Sequence, residues 1–284
     1  MPLQEPLAPL VSGYRSLEGP AFGEDGSLYF VDWLAHSVQR LGPDGRVEEW
    51  FNTGGIPAGL AFDRDGALCV ADEGDGIHGV IRISSARELI VLVDSYQGAP
   101  LNGANDLVFD RDGVLYFSDP WRSSRENPIG GFYRLFPDGR LERLDSGLAF
   151  PNGVALAEDG SAAFLAETRH RRILRYPIGS DGRVGPREEW ARLEERGAGP
   201  DGMAFDQAGH LYVAHYDAGT VDVFEGEGRL VETIPVPGKQ VTNVAFGGPD
   251  GRTLVVTECE TGTVYRGRAS VPGLRLFGGQ RWGA

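Results

Sequence analysis

The chain has 284 residues, with 41 acidic against 27 basic side chains, a formal charge of −14 and a hydrophobic share of 41%. Such a balance excludes the basic stripe that a nucleic-acid footprint needs, and no apolar run approaches the roughly 18 residues of a membrane helix. Two cysteines, Cys69 and Cys259, exclude a disulfide framework. Residues 1–16 carry Pro2, Pro6 and Pro9 ahead of the strand-like Leu10-Val11 and read as an N-terminal arm. The segment lacks the basic flank and apolar stretch of a secretory signal, so the cytoplasm is the expected compartment.

From Leu17 a pattern begins that then repeats. Leu17-Glu18-Gly19-Pro20-Ala21-Phe22 leads through the turn Asp25-Gly26 to Leu28-Tyr29-Phe30-Val31-Asp32. Aligned on Phe22, Phe62, Phe109, Leu156, Phe205 and Phe246, the copies recur every 40 to 49 residues. A strand-rich period of that length marks a β-propeller, one four-stranded sheet per repeat. The predicted fold is therefore all-β, a six-bladed propeller over residues 17–284, a single domain whose ring closes with strands from both chain ends. Val264-Tyr265 and Leu274-Arg275-Leu276-Phe277 are the closing candidates at the C-terminal side.

Within each repeat a second hairpin follows the first. Its turns include Pro43-Asp44-Gly45-Arg46 and Pro137-Asp138-Gly139-Arg140, with Ser84-Ser85-Ala86-Arg87 in the second repeat. Two segments, 93–104 and 120–131, lengthen the third repeat on the side where first strands begin, the usual place for binding loops. Asp63-Arg64-Asp65-Gly66 and Asp110-Arg111-Asp112-Gly113 look like openings of EF-hand loops. The closing glutamate and flanking helices are missing, so they are hairpin turns. No Gly-x-Ser-x-Gly elbow or His-Glu-x-x-His helix occurs.

Four places before each anchor stand Glu18, Ala58, Asn105, Asn152, Asp201 and Thr242. First strands line a propeller's channel, so Glu18, Asn105, Asn152 and Asp201 are expected to converge from four blades. Carboxylate and amide oxygens are the ligand set of a hard cation, Ca²⁺ first, with Mg²⁺ or Mn²⁺ as alternatives. The competing reading makes them caps that bond local backbone. A second column, Asp32, Asp72, Asp119, Glu167, His215 and Glu258, ends the second strands and is expected to form an acidic mouth. His215 is its one candidate for acid/base or donor work near neutral pH.

The chain resembles the gluconolactonase, senescence marker protein and luciferin-regenerating enzyme superfamily of six-bladed propellers. Leu17-Glu18-Gly19-Pro20, Asn105-Asp106-Leu107, Ser118-Asp119-Pro120, Pro151-Asn152-Gly153 and Gly199-Pro200-Asp201-Gly202-Met203 carry the resemblance. Leu211-Tyr212-Val213-Ala214-His215 and Thr242-Asn243-Val244-Ala245-Phe246 look like its bacterial gluconolactonase-like branch. The resemblance implies a lactonase with one divalent cation on the channel axis, most often Ca²⁺, with Mg²⁺, Mn²⁺ or Zn²⁺ as alternatives. It places the cation on Glu18, Asn152 and Asp201, with Asn105 as a further ligand or a holder of water and substrate. Asp201 is then general base, or nucleophile in an organophosphate-hydrolase variant; a non-catalytic binding platform is the third reading. Asn105, Asp119, Trp121 and His215 are the expected substrate contacts, with Trp33, Arg122 and Tyr216 as further walls. The expected partner is a small-molecule lactone, acted on by a monomer or small homo-oligomer without membrane or nucleic acid. Where the animal sugar-lactone branch has an arginine two residues before the third-blade Asn, this chain has Gly103.

Overall fold

Short alternating strands separated by Asp-Gly turns give antiparallel sheets, and a sheet apolar on both faces needs a neighbour on each side. The computed structural model describes residues 3–74 and 76–275. Those residues form six four-stranded antiparallel sheets and one two-stranded hairpin. Blade 1 runs Leu17–Phe22, Leu28–Asp32, Ser37–Leu41 and Val47–Asn52. Blade 2 comprises Pro57–Phe62, Leu68–Asp72, Val80–Ile83 and Leu89–Val93. Blade 3 has Leu107–Phe109, Leu115–Asp119, Gly130–Leu135 and Leu141–Leu148. Pro151–Leu156, Ala162–Glu167, Arg172–Pro177 and Glu188–Arg192 make blade 4. Gly199–Phe205, Leu211–Tyr216, Thr220–Glu225 and Arg229–Pro235 make blade 5.

Blade 6 takes Val241–Gly247, Thr253–Glu258 and Thr263–Ala269 from one chain end and its outermost strand, Leu3–Ser12, from the other. Val11 lies opposite Val264 and Ser12 opposite Thr263. The residues before Leu17 thus supply the strand that closes the ring, and Thr263–Ala269 no longer has a free edge. Val264 and Tyr265 lie in this pair. Leu274 instead donates its N–H to Phe205 O at the far end of blade 5, and Leu276 and Phe277 lie outside the described residues. No helix among the described residues is long and apolar enough to cross a membrane.

The core lies between blades. The anchor rings Phe62, Phe205 and Phe246 meet Tyr29, Phe164 and Tyr212 of the preceding blade edge to face, with centroids 5.1, 5.1 and 5.0 Å apart. Such pairs are worth about 0.5–1.5 kcal/mol each beyond their buried area, so one repeated position both marks the period and joins neighbours. The EF-hand-like stretches are turns: Asp63 Oδ1 accepts from Asp65 N and Ala67 N, and Asp110 Oδ1 from Asp112 N and Val114 N. In the Ser84 turn Arg87 adopts φ +62, the conformation Gly45 takes at φ +79 in blade 1.

Candidate functional site

Five inner strands carry one extra residue at the same height. Glu18 faces Val31 but Ala21 faces Tyr29, three steps on one strand against two on its partner. The same irregularity falls between Pro57 and Leu60, Pro151 and Val154, Pro200 and Met203, and Val241 and Asn243. A bulge of this kind bends the strand and re-aims its side chain. In blade 3 the strand begins later, and Asn105 is held instead by its N–H to Ser118 O and by Gly59 N on its own carbonyl. Close approach of the inner strands requires small residues just after the donor column. A Cβ on Gly19 (φ +51) would sit 2.1 Å from Ala58 O, and one on Gly153 2.2 Å from Asp201 O.

Glu18, Asn105, Asn152 and Asp201 are all buried, none more than 9% exposed. Glu18 Oε2 accepts from Gly19 N at 2.8 Å and from Asn243 Nδ2 at 3.1 Å, leaving Oε1 without a donor among the described residues. Asn152 Nδ2 donates to Thr168 Oγ1 at 3.3 Å, and its amide lies beside the Asp201 carboxyl. Asp201 Oδ1 is buried and has no hydrogen-bond partner among the described residues. Burial raises the Glu18 carboxyl to about 7. Burial, then the charges of Glu18, Asp106 and Glu73, raises Asp201 well above the usual carboxylate range. These carboxyls face one another across the channel in a surrounding that disfavours charge.

No Lys, Arg or His among the described residues pairs with Glu18 or Asp201. Among the described residues no group of three or more His, Cys, Asp or Glu side chains is arranged to hold a metal, so a cation here would have to draw on the Asn amides as well. Glu18 Oε1 and Asp201 Oδ1 accept from no described residue, Asn105 Nδ2 is turned to Glu73, and the Asn152 amide bonds both Thr168 and the Asp201 carboxyl, so that carboxylate and amide oxygens form one set. That set fits a hard divalent cation such as Ca²⁺. It also accounts for the buried, unpartnered Asp201 Oδ1, which is costly in a dry site without a counter-charge.

Residues 17–260 match the family model described as SMP-30/Gluconolactonase/LRE-like region. The chain belongs to this family. It is 31% identical over 242 residues to a pentonolactonase of Haloferax volcanii, with 84% of this chain and 80% of that one covered. With the diisopropyl-fluorophosphatase of Loligo vulgaris it shares 30% identity over 298 residues, covering 94% and 93%. A solved gluconolactonase structure from Xanthomonas campestris superposes with a TM-score of 0.83 at 27% identity, over 94% of this chain and 91% of that one.

In this SMP-30/gluconolactonase-like chain the second column does not form a mouth. Asp32 pairs with Leu17, Asp72 with Pro57, Glu167 with Pro151, His215 with Pro200 and Glu258 with Val241, each one place before the donor column. Partners across a ladder share a face, so these side chains point away from the donors. They cap backbone instead: Asp72 Oδ1 accepts from Ile56 N, Glu167 Oε1 from Ala149 N and Glu258 Oε1 from Gln240 N. Asp119, expected to touch substrate, accepts from Gly103 N at 2.7 Å and Asn102 N at 3.1 Å and is 1% exposed. It secures the segment before Asn105. His215 is fully buried, with Nδ1 2.9 Å from Asp222 Oδ2, and belongs to the wall of blade 5. Trp121 is half-buried beside Gly103, whose absent Cβ would lie 2.9 Å from Trp121 Cβ. The two long segments meet there, Asn102 Nδ2 donating to Ile129 O at 3.1 Å.

The residues that face the donors come one place later. Glu73 Oε1 accepts from Asn105 Nδ2 at 2.9 Å, Thr168 meets Asn152, and Cys259 Sγ reaches Leu17 O at 3.3 Å. Burial raises the Tyr216 phenol to about 12, with Asp201 and Glu18 among the charges that add to it. Glu73 and Asp106 also reach this interior, although each directly follows a residue of one of the two columns and so stands out in neither. Burial raises Glu73 to about 8 and Asp106 to about 7; Asp106 Oδ2 accepts from Val154 N at 2.8 Å and ties blade 3 to blade 4. A groove of about 1020 Å³ lies at the opposite end of the ring, among the turns around Arg111, Phe136, Asp159 and Gly182, away from these carboxyls.

Proposed function

We propose that this protein is a lactonase that opens the ring of a small lactone in its central channel, around Glu18, Asn105, Asn152 and Asp201. The observation that carries this reading is Asp201, buried, with one carboxylate oxygen unpartnered beside Glu18 and Asn152. Relatives named for pentonolactone and gluconolactone hydrolysis support the substrate class. A divalent cation held by Glu18, Asn152, Asp201 and Asn105, Ca²⁺ best matching the donors, would supply Lewis-acid polarisation of the lactone carbonyl.

The chain's own residues do the rest. Asp201 is placed to take a proton from the attacking water, whose oxygen forms a bond to the carbonyl carbon. The ring C–O bond then breaks, and the alkoxide takes the proton that Asp201 carried, which yields the hydroxy acid and restores the carboxylate. Asn105 and Asn152 would help hold the cation beside Asp201 and so fix where the polarised carbonyl sits. With Glu73 and Asp106 added, the interior carries four carboxyls, more than one divalent cation neutralises, and so favours an uncharged substrate. Trp121, Tyr216 and Trp33 are the apolar surfaces proposed to wall the ring of the substrate. Organophosphate hydrolysis with Asp201 as nucleophile is the second reading, favoured by the 30% identity to the squid fluorophosphatase.

Proton release from five- and six-membered sugar and alkyl lactones, measured with a pH indicator beside a phosphotriester, separates the two. The expected result is lactone hydrolysis abolished by chelator and restored by Ca²⁺ or Mn²⁺. In Asp201→Asn, turnover should fall by about 10² or more, since an amide cannot accept the proton. Full activity in that variant would defeat the mechanism, and turnover of the phosphotriester alone would favour the second reading.

A further inference from the structure

Blade 2 is the one blade with an apolar residue, Ala58, in the donor column. It nevertheless reaches the site, through Glu73. This side chain is 7% exposed, and its Oε1 accepts the Asn105 amide at 2.9 Å. Both backbones are fixed: Glu73 N donates to Ile56 O, Asn105 N to Ser118 O, and Gly59 N to Asn105 O. Glu73 Cα also packs against Gly103, where an added Cβ would come within 3.0 Å of it. What remains free at Asn105 is the choice of which end of its amide faces the channel.

We infer that Glu73 is a positioning residue that makes this choice, turning the Nδ2 of Asn105 toward blade 2 and its Oδ1 toward the cation. The inference rests on the cation reading above. Asn105 Nδ2 donates to Glu73 Oε1 at 2.9 Å, and because the amide is planar with its nitrogen and oxygen on opposite sides, the carbonyl oxygen is turned away from blade 2. No described residue donates to that oxygen, which leaves it available as a ligand. Outer partners of this kind orient a ligand and commonly govern affinity by about 10–100-fold. Nothing in the column alignment points to Glu73; the side chain of the blade that lacks a donor of its own orients the donor of the next.

The test is calorimetric titration of Ca²⁺ into the full chain, the variants Glu73→Gln and Asn105→Ala, and the double variant. A glutamine both donates and accepts, so it permits either amide orientation, and Glu73→Gln should bind Ca²⁺ about 10–100-fold more weakly. The double variant should bind no more weakly than Asn105→Ala alone, because the effect passes through Asn105. Chelated melting curves control for folding, and Glu73→Ala is read in the same way if Glu73→Gln does not fold. Parent-like affinity in both Glu73 variants would overturn the inference. So would an additive double variant, which would mean Glu73 contacts the cation directly. Absence of Ca²⁺ binding in the parent would overturn the cation reading together with this one.

Discussion

His215 shows how a single side chain changes meaning once its neighbours are known. A histidine at a strand end suggests acid/base work at neutral pH, but here it is one member of a buried network. Asp222 binds His215 Nδ1 through Oδ2, while Oδ1 accepts from Arg196 Nη2 and Thr233 Oγ1. Burial by itself would raise the Asp222 carboxyl, yet the bonds from His215 and the charge of Arg196 outweigh it and hold the group below the usual range. A depressed carboxylate stabilises the fold above its unfolded value, about 3.8, and that contribution is lost as pH falls through the lower folded value. Asp222→Asn should therefore melt below the parent at neutral pH, by an amount on the order of 1–3 kcal/mol, with the gap closing below about pH 4. A gap that persisted unchanged to pH 3 would remove the ionised pair from the explanation. His215→Ala should likewise lower the melting temperature while leaving KM for the lactone close to parental, because the ring is fully buried and its Nδ1 is bonded to Asp222.

At the level of the strand, one extra residue decides what the sequence could and could not disclose. The period and the blade count were legible, and with them the burial of Glu18, Asn105, Asn152 and Asp201 at the inner strands, because Phe62, Phe205 and Phe246 each pack on an aromatic of the preceding blade, which keeps the spacing regular. The second column was not legible, because bulges at Glu18, Pro57, Pro151, Pro200 and Val241 offset the ladder by one place. A one-residue offset in a strand exchanges its faces. Asp32, Asp72 and Glu258 thus became backbone caps, and Glu73 and Cys259 became the residues near the donors. Asp106 was hidden for a related reason: blade 3 has no strand at that point, so both Asn105 and Asp106 can serve the interior. The tight bulge also makes a prediction about Gly153. Its substitution by alanine would place a methyl 2.2 Å from Asp201 O and 2.9 Å from Gly202 Cα, contacts that only a shift of the two inner strands can relieve. Gly153→Ala should cost about 1–3 kcal/mol in stability and weaken Ca²⁺ binding by displacing Asn152 and Asp201 together. Gly76→Ala, where an added Cβ meets nothing within 4 Å, is the control. Equal melting temperatures and Ca²⁺ affinities for the two variants would show that the inner strands are not tightly apposed.

For the ring as a whole, the central problem is electrostatic. Six sheets bring their inner strands together, and the fold places Glu18, Glu73, Asp106 and Asp201 in one poorly solvated space with no Lys or Arg in the donor column. Backbone and side-chain bonds across blades hold that space: Thr242 Oγ1 donates to Leu17 O at 2.7 Å, Asn243 Nδ2 to Glu18 Oε2, and Val154 N to Asp106 Oδ2. Closure by Leu3–Ser12 protects the outer edge of blade 6 but does nothing for this repulsion at the axis. A divalent cation on the proposed ligands Glu18, Asn105, Asn152 and Asp201 would, because these come from blades 1, 3, 4 and 5, so separating any of these blades would release it. Binding to the folded ring alone stabilises it by mass action, about 2.7 kcal/mol at a hundredfold excess over the dissociation constant. For a chain of this size that corresponds to a rise of about 4–5 °C in melting temperature. Melting in excess Ca²⁺ against melting in chelator measures the difference directly. Glu18→Gln and Asp201→Asn should each lose most of the Ca²⁺-dependent rise, while in chelator they should melt no lower than the parent, since each removes one of four mutually repelling carboxyls. A parent whose melting temperature is the same with and without Ca²⁺ or Mn²⁺ would leave the burial of these groups unexplained by a cation and would withdraw the cation from the mechanism.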